Sequence, residues 1–315
     1  MSDSVSVPAE ALAPPSVLHK IFIGPLGLRS GWRFALFNVL GFGFSAVLIF
    51  IRRALTPGSD KKFAYTAPSV LLQECLFLFA LSCAVAVMLR IEKRPFTLDF
   101  LPLRQAFRGY FWGGVLWGIT ALTLLLVVMR ALHAFYFGSL ALHGFEALRS
   151  GVLWAIAFGA VGLFEESFSR GYAQATLAQG IGFWPAALLN SLIFGAVHIS
   201  NSGESVLGIA SVVCVALFFC LTLWWTGNLW FAVGIHAGWD YAETFIFGVA
   251  DSGEQASGHL LNPHIQGSHW INGGAVGPEG SVLVFLIYGL AALMFVLVYK
   301  RKAWVGPVPG PADKN

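Results

Sequence analysis

Residues 151–177 read GVLWAIAFGAVGLFEESFSRGYAQATL. Fourteen uncharged residues lead up to Glu165-Glu166, and Arg170 follows one helical turn after Glu166. An apolar run of this kind reads as a helix that crosses a bilayer, which takes roughly 20 mostly apolar residues. A charged carboxylate at that depth costs about 3 kcal/mol or more. Two of them, with a cation one turn away, mark a functional site inside a membrane helix.

The rest of the chain agrees with that class. Of 315 residues, 57% are hydrophobic and 11% are charged, whereas soluble domains carry about 25% charged residues. Mean hydropathy is +0.73. A soluble domain of useful size is excluded, and the net charge of +3 says little about partners, because the position of charge matters more than its sum in a membrane protein; no nucleic-acid partner is expected. The four cysteines, Cys75, Cys83, Cys214 and Cys220, lie in apolar runs without a CxxC pair and read as small core hydrophobes.

Eight candidate spans run near 32–52, 68–90, 109–130, 150–170, 183–200, 205–225, 228–249 and 281–300. The expected fold is an all-α polytopic membrane bundle of about eight transmembrane helices. Its site lies in a cavity between helices 4, 5 and 7. Residues 1–28 read as a disordered tail without a cleavable signal, 29–303 as one integral-membrane domain with its core at about 150–245, and 304–315 as a second tail. The segment 92–108, broken by Pro95 and Pro102, reads as interfacial.

Lys and Arg cluster at 90–108 and at Lys300, Arg301 and Lys302, while the connection 250–280 carries neither. The positive-inside rule then puts both termini in the cytoplasm and the 250–280 loop outside. Arg52, Arg53, Lys61 and Lys62 oppose that orientation. A prokaryotic inner membrane is the expected location. His259, His264 and His269 recur every five residues in the polar loop, a spacing that is neither helical nor extended, and read as solvated.

Helical spacing organises the polar groups inside the apolar spans. Glu166 and Arg170 are i,i+4 and share a face. Glu165 is turned about 100° away, free to face a cavity. Phe194 and His198 are i,i+4 in the fifth span, and His236, Asp240 and Glu243 form a stripe in the seventh. Ionisable residues within spans face one another or a wet cavity rather than lipid. A carboxylate with two imidazoles, and no nucleophilic Ser or Cys in the set, suits activation of water for hydrolysis.

Three ordered motifs carry a resemblance. EESFSR matches an EExxxR pattern, FGAVH an FxxxH pattern and HAGWD an HxxxN/D pattern. In this order, each within an apolar span, they resemble the CAAX protease and bacteriocin-processing (Abi) family over about residues 150–245. The resemblance implies an intramembrane glutamic endopeptidase, with hydrolysis near the C-terminus of a prenylated or hydrophobic peptide. It implies that Glu165 activates water with His198, that His236 and Asp240 stabilise the oxyanion, and that Glu166 and Arg170 support the site; Phe194 and Glu243, placed by helical spacing, are expected as further supporting residues. No cofactor is expected. The alternative is zinc held by Glu165, His198 and His236, although HExxH is absent. The expected partners are the lipid bilayer and a hydrophobic or lipidated peptide. Two competing functions remain, a catalytically silent immunity or scaffold protein and a proton-coupled transporter, although the internal repeat expected of many transporters is missing.

Overall fold

The computed structural model describes residues 16–24, 27–55, 65–93 and 101–302. A short helix α1 (Val17–Phe22) leads into a two-stranded ribbon, β1 (Ile23–Gly24) and β2 (Gly27–Leu28). These elements lie within residues 1–28, the stretch read from the sequence as a tail. Arg29 closes this unit, its backbone N–H bonding to Phe22 O and its side chain to Lys20 O.

The bundle follows with α2 (Ser30–Leu55), α3 (Ala67–Ile91) and α4 (Gly109–Ala131), then strand β3 (Phe135–Leu140) and α5 (Gly144–Glu166). A π-helical stretch, Ser167–Ala173, joins α5 to α6 (Gln174–Ile181). Then come α7 (Phe183–His198), α8 (Val206–Thr226) and α9 (Trp230–Asp240), which runs into a second π stretch, Tyr241–Ile246. Strand β4 (Leu261–Ile265), the one-turn α10 (His269–Asn272) and α11 (Leu283–Val298) complete the chain.

Among the described residues, five helical stretches are long and apolar enough to cross a membrane: Ser30–Leu55, Ala67–Ile91, Gly109–Ala131, Gly144–Ile181 and Val206–Thr226. Phe183–His198 and Leu283–Val298 are apolar but shorter. Large apolar side chains cover the outside, including Phe50 at 73% exposure, Leu116 at 67% and Leu297 at 70%. Water would not tolerate so continuous an apolar surface, whereas lipid matches it. The protein is an integral membrane protein. Of the cysteines, Cys220 is buried as expected and Cys75 lies on the exposed face of α3. The expected interfacial segment falls partly outside the described residues. In its described end, Leu103, which opens a 3₁₀ turn (Leu103–Gln105), and Phe107 beyond it are exposed.

Helix α9 lies at the centre, buried along almost its whole length. Its neighbour α4 carries Gly114 and Gly118, and α9 carries Gly234 and Gly238. A Cβ at Gly114 would strike Phe231 O, and one at Gly118 would strike Ile235 O. Reciprocally, a Cβ at Gly234 would meet Phe111 O and one at Gly238 would meet Val115 O. Backbone thus packs on backbone through two small-xxx-small faces, as suits helix association in lipid. On the other side, Gly162 of α5 lies where a Cβ would come 2.8 Å from Val233 O of α9.

The 250–280 loop is not simply solvated. β4 pairs antiparallel with β3, Phe135 opposite Ile265 and Leu140 opposite Leu261. Leu260 N–H bonds to Phe245 O at 2.7 Å, tying the loop to the end of the α9 segment. His259 bonds to Ala256 O and Asn262 Oδ1, so this histidine serves the loop's own fold. These contacts seat the loop over one end of the bundle.

Replacing Gly238 or Gly118 by Leu forces α4 and α9 apart. The expected outcome is loss of the monodisperse peak in detergent size-exclusion chromatography. Gly43 of α2, with nothing within 4 Å of its would-be Cβ, accepts Ala without loss.

Candidate active site

Glu165 and Glu166 end α5, and the chain enters its π stretch at the next residue. A π turn frees backbone carbonyls from the regular ladder. Here the Asn190 side-chain amide of α7 donates to Ser169 O. Despite the altered winding, Arg170 Nη1 reaches Glu166 Oε1 at 3.1 Å, with both side chains essentially inaccessible. The Arg170 guanidinium also lies 4.3 Å from the ring centre of Phe194 and 5.6 Å from that of Phe219. Phe194, on α7, therefore packs on the cation as well as on His198, whose ring centre is 4.7 Å away.

The second carboxylate behaves differently. Glu165 keeps 27% of its side-chain surface accessible while Glu166 keeps none. Glu165 lines a cavity of about 320 Å³ together with His198, His236 and Asp240. The i,i+1 rotation read from the sequence thus separates one paired, enclosed glutamate from one that meets the cavity.

His236 connects the two. Its Nδ1 donates to Glu166 Oε1 at 2.9 Å, the acceptor Arg170 also uses. Its Nε2 lies 3.7 Å from Glu165 Oε2 and 3.5 Å from Asp240 Oδ2. The ring stacks on Phe219, 5.6 Å between centres. Glu166 therefore does more than pair with Arg170. It fixes one nitrogen of His236 and leaves the other facing the cavity carboxylates.

His198 stands apart from that chain. Its Nδ1 meets the carbonyl of Phe194 at 2.7 Å. In the tautomer that donates this bond, Nε2 presents a lone pair, and the residue lines the same cavity.

The geometry departs from two groupings considered from the sequence, the Glu243 stripe and the alternative zinc set. Glu243 does not share the cavity with His236 and Asp240. The π stretch beginning at Tyr241 changes the helical phase, and Glu243 is fully buried, accepting from Trp239 Nε1 at 2.9 Å. Nor do Glu165, His198 and His236 form a compact ligand set. Among the described residues, the acidic and imidazole side chains whose ligating atoms gather within 4.8 Å are Glu243, Asp251 and Glu279.

Other cavity residues were not singled out from the sequence. Glu74 of α3 lines it, as do Asp251, Ser252, Glu254 and Glu279 of the loop. Asp251 accepts from Thr244 at 3.0 Å and from Tyr65 at 3.3 Å, and Glu279 accepts from Ser252 at 2.9 Å. The only signal for Glu74 was a lone charge inside an apolar span.

The order and contacts of these groups meet an outside comparison. Residues 147–242 match the family model described as type II CAAX prenyl endopeptidase Rce1-like. That match supports a CAAX protease family assignment. It covers α5, α7, α8 and α9 with all three motifs, and stops short of Asp251 and Glu279. Glu74 also lies outside it. Searches of curated proteins and of solved structures found no match.

Two outcomes test this geometry. Arg170→Met leaves the Glu166 carboxylate enclosed without its cation, which costs about 3–5 kcal/mol for a buried pair broken on one side. Unfolding in mixed micelles should show that loss, and the double variant Glu166→Gln/Arg170→Met should recover part of it. In the loop, burial raises the Asp251 carboxyl to about 6 and that of Glu279 to about 7. Both exceed the values of the unfolded chain, about 4. The folded state therefore holds more protons in that interval, and stability falls as pH rises through it. Thermal unfolding should occur at a lower temperature near pH 8 than near pH 5. Asp251→Asn with Glu279→Gln should flatten the difference.

Proposed function

We propose that the protein is an intramembrane endopeptidase that hydrolyses a peptide bond of a hydrophobic or lipidated segment with water activated by Glu165. The observation that carries this reading is the arrangement around His236. One of its nitrogens is held by the enclosed Glu166–Arg170 pair, and the other lies beside the cavity-facing Glu165 and Asp240.

In this reading the Glu165 carboxylate removes a proton from water as the oxygen attacks the substrate carbonyl. The Nε2 lone pair of His198 accepts a hydrogen bond from the same water and aims it. The carbonyl oxygen gains charge as the tetrahedral intermediate forms. His236, anchored through Nδ1, turns an Nε2–H toward that oxygen, because its contacts to Glu165 and Asp240, at 3.7 and 3.5 Å, are too long to hold it. The Glu166 bond at Nδ1 orients the ring, and Asp240 lies beside it as an acidic neighbour. Glu165 then returns the proton to the leaving amine, and the C–N bond breaks.

The water is activated without a metal. The support is the donor geometry: among the described residues Glu165, His198 and His236 do not converge into a ligand set. The inner membrane of a prokaryotic cell, with both termini in the cytoplasm, is the proposed setting.

Cleavage of a hydrophobic peptide substrate by purified protein in liposomes tests the mechanism. Glu165→Gln should lower kcat by about 10²–10⁴, and His198→Ala should fall in the same range. His236→Ala should lower it by about 10²–10³. A zinc chelator should leave the wild-type rate unchanged. Undiminished turnover by Glu165→Gln would sink the assignment of the base.

A further inference from the structure

The cavity wall is strongly one-sided in charge. Six carboxyl side chains line it, Glu74, Glu165, Asp240, Asp251, Glu254 and Glu279, against two imidazoles, His198 and His236. No Lys or Arg is among its described lining residues. Glu165 and Asp240 share His236, and Asp251 and Glu279 have hydroxyl donors.

Glu74 has no such partner. It is 5% exposed, lies on the cavity wall, and its Oε2 is enclosed without a hydrogen-bond donor. A carboxylate buried without a donor is costly unless it takes up a proton or something brings it a positive charge. Val70, one helical turn before Glu74 on α3, lines the same cavity, as do Ala121 and Val212. An apolar wall that ends at an unmatched carboxylate fits a flexible aliphatic stem with a cationic tip. The ion-like grouping of Glu243, Asp251 and Glu279 does not answer the same need, because a cation held there leaves Glu74 unmatched.

We propose that the acidic lobe around Glu74 is a subsite for a cationic side chain, lysine or arginine, of the peptide that enters the cavity. The proposal rests on the endopeptidase reading in calling that peptide a substrate. It sets a selectivity that the residues 147–242 do not carry, since Glu74 and the acidic loop residues lie outside them. A free terminal carboxylate in this lobe would meet the like-charged carboxyls of Glu74 and Glu165.

Two fluorescent peptides of one hydrophobic sequence, differing only in lysine versus norleucine at a single position, provide the test. The lysine is moved through successive positions. Binding is measured to full-length Glu165→Gln protein in detergent micelles, so that no cleavage intervenes. At one position the lysine peptide should bind about tenfold tighter, the scale of a hydrogen bond to a charged group. Adding Glu74→Gln should bring the lysine-to-norleucine ratio to about one. Equal binding at every position by the protein that retains Glu74 overturns the subsite, whether or not the Glu74 variant folds. So does a preference that survives Glu74→Gln, or a preference for a glutamate peptide. Wild-type protein incubated with both peptides separates the two readings. Binding preference without cleavage of either peptide removes the endopeptidase reading and leaves the subsite standing. Cleavage without preference does the reverse.

Discussion

The site depends on how closely helix α9 approaches α4 and α5. Four glycines, two on each of α4 and α9, let those backbones meet directly, and Gly162 does the same on the α5 side. In lipid, burying apolar surface between helices brings little gain, so close van der Waals contact must hold them. The consequence reaches the chemistry. His236 lies on α9 between Gly234 and Gly238, and its 2.9 Å bond to Glu166 of α5 exists only at this spacing. A side chain at any of the five glycines would push the imidazole away from its anchor.

The two glutamates then take opposite roles through a single step of helix rotation. Glu166 faces inward, shares its Oε1 between Arg170 and His236, and has no accessible surface. Glu165 meets the cavity with a quarter of its side chain accessible. The enclosed pair costs desolvation, and the charge on Arg170 together with the faces of Phe194 and Phe219 offsets part of it. Two of the three motif-bearing helices also turn to π winding, α5 at Ser167 within its motif and α9 at Tyr241 directly after its own. That winding redirects the chain beyond the site, and in the second case Glu243 lies fully buried behind the cavity wall, beside Asp251 and Glu279.

Much of this was legible. Hydropathy alone showed a membrane chain, and the 3.6-residue period correctly paired Glu166 with Arg170, Phe194 with His198 and His236 with Asp240. Local periodicity fails where the winding changes, which is why Glu243 was misplaced on the cavity stripe. It also says nothing about contacts between distant segments. β3 and β4 pair across about 120 residues of sequence, and neither strand alternates strongly enough to announce itself. Glu74 is isolated within an apolar run, and no spacing rule links it to residues on other helices.

The sequence by itself determined the solvent of this protein and the angular placement of its motifs, because hydrophobicity and helical phase are properties of a continuous segment. Tertiary structure alone decided which nitrogen of His236 meets which carboxylate, that Glu166 serves histidine and arginine together, and that α3 and the loop bring further acids to the cavity. The contacts of His236 with Glu165 and Glu166 join residues about 70 positions apart, and the acids of α3 and the loop lie farther still from Glu165 along the chain. Those contacts are set by interhelical distance, and that distance depends on backbone packing that no local pattern encodes.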